Sequence, residues 1–174
     1  VLHPKKTKSM TITTRQKRQR NNFKMSLYLE NTPIEQVSEH RVLGVTIDEE
    51  FRWHKHINNV CKTVSRNLFL LSQLKHYVES DARKLFFDAH VLSHINYSSV
   101  IWRGASEICM KKLNSLHRRA IKLVSSEKDS TTEEKMHNLN ILPLHKQFLY
   151  NLAVLTFKTI KGSSPPYLRK LLRK

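Results

Sequence analysis

His90 and His94 stand four residues apart, the spacing that puts two imidazoles on one helix face where a zinc ion could be gripped. No Glu follows the first of them to serve as a general base, and no third ligand stands out, so packing or surface histidines are the plainer reading. His54 and His56 lie close to Cys61, yet Cys61 falls on an apolar stripe. Asp48-Glu49-Glu50 could begin a divalent-cation site only if other carboxylates completed it, and no second acidic cluster lies nearby. Just ahead of a helix, the same negative charges suit the positive end of the helix dipole. Cys61 and Cys109 lack any local catalytic signature, and three glycines leave no phosphate-cradling loop. No catalytic residue and no metal ligand is therefore assigned. Positive charge is the remaining chemistry. Arg52, Lys55, Lys62 and Arg66 follow closely on a strand-like run and are the expected phosphate contacts.

The elements that must position them divide near residue 50. From 41 to 47 the chain reads Arg-Val-Leu-Gly-Val-Thr-Ile, a β-branched run expected to form a buried strand, with Gly44 at a bulge or a close backbone approach. Ahead of it, a turn at Pro4, a strand over 9–14, and strands over 27–29 and 34–37 around the turn Asn31-Thr32-Pro33 would complete a small antiparallel sheet. Between these, Arg15, Lys17, Arg18, Arg20 and Lys24 read as a solvated basic loop, either a connector or a phosphate or import element.

Everything after residue 50 reads as helix. Ile57, Val60, Cys61, Val64, Leu68, Leu71, Leu74 and Val78 recur at steps of three and four, defining one face of a helix over 54–78. Ser80 and Asp81 would cap a second helix, apolar on two faces and hence buried on most sides, with Gly104 as a stop after Trp102. A helix over 106–124 would turn Cys109, Leu113, Leu116, Ala120 and Leu123 inward and Lys111, Lys112, Arg118, Arg119 and Lys122 outward. A short helix near 133–139, one over 145–161 with Phe148, Leu149, Leu152, Leu155, Phe157 and Ile160 as its apolar set, and a basic helix after Pro165-Pro166 end the chain.

Composition narrows the function. Thirty-one Lys and Arg against fourteen Asp and Glu give a formal net charge of +17, which favours nucleic acid or another polyanion as partner. No apolar run approaches the ~18 residues of a membrane span, and the two cysteines suit a reducing, intracellular setting. The chain begins at Val1 with residues that already read as a fold interior, the expectation being a fragment or truncated frame.

The stretch Leu43-Gly44-Val45, Ile47-Asp48, Trp53 and His56-Ile57 resembles the segment that closes the palm and opens the thumb of reverse transcriptases of non-LTR (LINE-type) retrotransposons. His3-Pro4-Lys5-Lys6-Thr7-Lys8-Ser9-Met10 is similar to a late palm motif of that family, with His3 for the usual Asn. Tyr97, Ile101 and Trp102, then Leu113, Leu116 and Arg118-Arg119-Ala120, with His117 for the usual Gln, then Lys158, Gly162, Pro166, Tyr167 and Leu168 follow the family's order to the end of the chain. His40 and Val42 depart from its aromatic positions.

The resemblance implies a mainly α fold: a helical thumb-like bundle over 51–174, preceded by a small antiparallel β remnant of the palm over 1–50. It implies that the Leu43-Gly44 region lies near the primer end, that Arg41, Leu43 and Gly44 are nucleic-acid-binding, and that the thumb holds an RNA/DNA template-primer duplex. An upstream palm and endonuclease part of the same polyprotein, a nuclear location, and magnesium in the parent RNA-directed DNA polymerase also follow from it. The parent holds its metals on an Asp-Asp pair and a third acid. This chain has Asp48, Asp81, Asp88 and Asp129, none adjacent to another, so it is expected to be inactive alone and to need no cofactor. Two other readings fit the same residues: a basic helical protein-interaction module co-opted from the element, and a relic without function.

Overall fold

The computed structural model describes residues 3, 6–14, 16–17, 26–127 and 129–172. The Pro4 turn and the basic residues Arg15, Arg18, Arg20 and Lys24 lie outside them. The fold is mainly α, with 59% of the chain helical, and its described β structure is confined to two-stranded sheets. It divides into two units, Val1–Asn58 and Asn59–Lys174.

In the first unit the strands are shorter than the β-branched runs suggest. β1 (Lys8–Ser9) pairs in parallel with β4 (Glu35–Gln36), and the expected strand over 9–14 does not extend past Ser9. β2 (Tyr28–Leu29) and β3 (Thr32–Pro33) form an antiparallel hairpin, so the turn lies at Glu30-Asn31, and Thr32 and Pro33, expected in the turn, belong to the strand. Both turn residues are left-handed, φ 49° and 62°, the geometry that matches the twist of paired strands.

The run over 41–47 is not one buried strand. β5 (Glu39–Val42) and β6 (Val45–Asp48) fold back on each other with Val42 opposite Val45 and Arg41 opposite Thr46. Gly44 supplies the turn, not a bulge: Leu43 and Gly44 occupy it at φ 47° and 84°. A β-branched run broken by a single Gly reads alike as one strand or as two folded at the Gly, and Leu is a poor turn residue, which hid the hairpin.

The segment 49–53 then carries two aromatic residues in left-handed conformation, Phe51 at φ 53° and Trp53 at φ 64°. It is held by the Asp48 carboxylate, which accepts the N–H groups of Glu50, Arg52 and Trp53 at 3.1, 3.0 and 2.8 Å. Asp48 thus anchors the approach to the helix, whose own first turn holds no acid.

That helix, α1 (His54–Leu74), buries Ile57, Cys61, Val64, Leu68 and Leu71 as its spacing predicts. It stops at Leu74 and turns through Tyr77, so Val78 does not extend it. α2 (Ser80–Phe87) continues through a π-helical turn, Asp88–Leu92, into α3 (Ser93–Asn96). Ser80 does not cap it; its hydroxyl donates to the Val124 carbonyl at 3.2 Å. Phe87, Val91 and Ile95 are fully buried, whereas Leu85 is exposed, so this helix buries one face, not most sides. Buried residues at strict four-residue steps would drift about 40° per step around a 3.6-residue helix, and the widened turn offsets that drift.

α4 (Ser99–Trp102) follows Ser98, itself left-handed at φ 52°. Trp102 is fully buried, donates its indole N–H to the Tyr97 carbonyl at 3.0 Å, and meets Phe148 edge-on. Gly104 lies beyond the helix end without the left-handed backbone of a glycine stop.

α5 (Glu107–Val124) buries Cys109, Leu113, Ala120 and Ile121, and also His117, which the apolar pattern passed over. α6 (Thr132–Asn138) starts with a reciprocal box: Thr131 Oγ1 accepts the Glu134 N–H and the Glu134 carboxylate accepts the Thr131 N–H. α7 (Leu144–Lys161) ends at Gly162, left-handed at φ 81°, ahead of α8 (Pro166–Leu171). Asn151 ties α7 inward, donating to Asn96 Oδ1 and Ser99 Oγ at 3.0 Å each. Of the apolar set expected on α7, Phe148 is buried, but Leu149, Phe157 and Ile160 are exposed.

Candidate nucleic-acid interface

A helix turns 100° per residue, so positions 55, 59, 62, 66, 69 and 73 fall within an arc of about 80°. On α1 these are Lys55, Asn59, Lys62, Arg66, Phe69 and Gln73, all exposed, opposite the buried Ile57–Leu71 stripe. The apolar face fixes the helix and thereby aims this second face at solvent. Cations, amides and one aromatic ring alternate along it, the mixture that meets phosphates, sugars and unstacked bases.

The predicted phosphate contacts are not equivalent. Lys62 and Arg66 have no carboxylate partner among the described residues; Arg66 donates to Thr63 Oγ1 at 3.3 Å. Lys55 is ion-paired with Glu39, and Arg52 with Glu50. Arg52 sits in the turn before α1, not on it. The Lys55–Glu39 pair is exposed, and such pairs contribute little and exchange readily for a phosphate, whereas the Glu50 carboxylate is largely covered; each pair leaves a carboxylate beside its cation.

In the first unit, Leu43 and Gly44 form the tip of the β5–β6 hairpin, with Arg41 on β5 below them. Leu43 is 86% exposed, an apolar side chain presented in a backbone conformation that costs an L residue about 1–2 kcal/mol. His56 supports this hairpin: its Nδ1 accepts the Thr46 N–H at 3.4 Å, which requires an unprotonated nitrogen. Burial, and then the nearby Arg41 charge, hold the His56 pKa below its ordinary value.

A second basic surface was visible in the sequence only as outward charge on α5. Lys111, Arg118, Arg119 and Lys122 line one shallow groove of about 400 Å3 with Asn114 and Ser115. Lys111 pairs with Glu107 and Arg118 with Glu133, leaving Arg119 and Lys122 without carboxylate partners among the described residues.

The remaining candidates are surface histidines and buried thiols. His90 lies against the Phe86 ring at 4.7 Å, and His94 is exposed one turn later. Cys61 and Cys109 are buried thiols; burial pushes the Cys61 pKa up, the neighbouring Lys112 opposing it. Among the described residues no three His, Cys, Asp or Glu side chains gather where they could share a metal ion, and no helix is long and apolar enough to cross a membrane.

No family model, curated protein or solved structure matches the chain.

Proposed function

We propose that this chain is the palm-end and thumb part of a non-LTR retrotransposon reverse transcriptase, and that it binds the template-primer backbone without itself catalysing nucleotide addition. The observation that carries the reading is the exposed stripe of α1, where Lys62 and Arg66 stand without carboxylate partners among the described residues, between Asn59 and Phe69 on the face opposite the core. The order of family-like motifs and the net charge of +17 support it.

Contacts of this kind act through charge and geometry and are indifferent to base sequence, as a clamp on an advancing duplex requires. Leu43, at the strained hairpin tip, is the apolar element near the primer end, with Arg41 beside it. The metal-dependent step belongs to an Asp-Asp-bearing palm, which in this reading lies upstream in the polyprotein and uses magnesium; the setting is nuclear. Charge reversal at Lys62 and Arg66 tests the reading. It should weaken binding to an RNA/DNA hybrid by about tenfold or more, equally for unrelated sequences; unchanged affinity contradicts it.

One observation favours a second reading, a protein-interaction module. Leu149, Ala153, Phe157 and Ile160 fall within one exposed stripe of α7, a face of the kind that marks a protein contact. Indifference of the chain to nucleic acid at low salt, together with loss of a protein partner in a Phe157→Glu variant, would favour that reading.

A further inference from the structure

Away from the α1 stripe, Lys75, Arg83, Lys122 and Lys135 line a single cavity of about 660 Å3 where the ends of α1, α2 and α5 meet the loop before α6. Among the described lining residues four cations face one carboxylate, Glu127, and that carboxylate is already engaged by the side chains of Ser130 and Asn138.

Arg83 is the unusual member. It is 5% exposed, and its guanidinium donates only to neutral acceptors, the Leu123 carbonyl at 3.2 Å and the Ser126 hydroxyl. Its Nε is buried with no hydrogen-bond partner among the described residues. A guanidinium withdrawn from water without a counter-charge is costly, and the cost is relieved when an anion joins it. The hydroxyls of Ser126 and Thr131, each already accepting one hydrogen bond, keep a proton to donate and add to the lining around the cations. Multiple donors and fixed positive charge in a concave site are what phosphate recognition uses.

We propose that this cavity is a phosphate-binding site, distinct from the α1 stripe, which takes a terminal or multiply charged phosphate group. Two sources carry that chemistry: the 5′-phosphate end of a nucleic-acid strand and the phosphates of a free nucleotide. Lys75, Arg83 and Lys122, none of them ion-paired among the described residues, favour an anion carrying more than the single charge of a backbone phosphodiester. The proposal does not rest on duplex binding by α1, and the two can fail separately.

Calorimetric titration of the chain with pyrophosphate at low salt tests it. The expected result is saturable one-to-one binding that weakens at least tenfold in Lys75→Gln/Lys122→Gln and is unchanged in Lys62→Gln/Arg66→Gln. Both substituted pairs are exposed, so far-ultraviolet circular dichroism should match the parent chain. Absence of saturable binding, or equal loss in the two double variants, overturns the site. Competition then identifies the source. Displacement by a 5′-phosphorylated oligonucleotide but not by its 5′-hydroxyl form assigns a strand end. Displacement by a nucleoside diphosphate but by neither oligonucleotide assigns a free nucleotide. Displacement by none of them overturns the assignment to a phosphate ester.

Discussion

The Asp48 carboxylate accepts the backbone N–H of Trp53 at 2.8 Å and so holds an aromatic residue in left-handed conformation at the entrance to α1. Burial alone would raise the Asp48 pKa, but the N–H groups of Arg52, Trp53 and Glu50 together outweigh it and the net shift is downward. Asp48→Ala removes the acceptor for all three donors and should cost about 1–2 kcal/mol in urea unfolding, like the loss of a helix cap. Because the folded pKa is depressed, this contribution is fully present above the ordinary carboxylate range and fades as pH falls through the folded value. The variant should therefore lose its deficit relative to the parent in acid; an equal deficit at pH 7 and at pH 3 would contradict the role.

His117 predicts a second acid sensitivity. Its ring is fully buried on α5, edge-on to Phe87 at 5.9 Å, with neither nitrogen partnered among the described residues. Burial, and then Arg118, push its pKa down to about 4. The unfolded chain takes up this proton near pH 6.5 and the folded chain only near 4, so stability is full above 6.5 and falls as pH drops between the two. The loss amounts to about 3 kcal/mol. His117→Leu should flatten that part of the stability–pH curve and leave stability at pH 7 unchanged or higher, because no hydrogen bond is lost. A curve as steep as the parent's would show that another group titrates there.

Leu43 separates stability from binding. At φ 47° in a two-residue turn, Asn is the better residue. Leu43→Asn should stabilise the chain by about 0.5–1 kcal/mol in thermal unfolding, while the lost apolar tip should lower affinity for a template-primer end several-fold. Gain in stability with full retention of binding would remove Leu43 from the interface.

How far the sequence reaches depends on the period of each segment. Ile57, Cys61, Val64, Leu68 and Leu71 keep a clean helical step, so both the buried face of α1 and the opposite face bearing Lys62 and Arg66 could be read directly. The same rule found Leu113 and Ala120 on α5. The hairpin at Leu43-Gly44 could not be read because the pairing partners are themselves adjacent in the β-branched run and the turn uses a residue that rarely adopts left-handed backbone. Leu149, Phe157 and Ile160 look like core because they are apolar, yet apolar residues surround much of α7 and only neighbouring helices decide which side is covered. Phe69 on the basic stripe, buried His117 and buried Arg83, bonded only to neutral acceptors among the described residues, gave no signal of their own. Residue type shows neither where an exposed aromatic falls on a helix nor whether a polar side chain finds a partner.

The salt dependence of hybrid binding tests the central claim most directly. Fluorescence anisotropy with a labelled RNA/DNA hybrid, titrated from about 50 to 200 mM salt, should give a linear fall of log affinity with log salt. Lys62→Gln/Arg66→Gln should flatten the slope by about 2, roughly one for each lost phosphate contact. Binding that ignores salt, or a double variant with the parent's slope, would contradict a backbone clamp on α1.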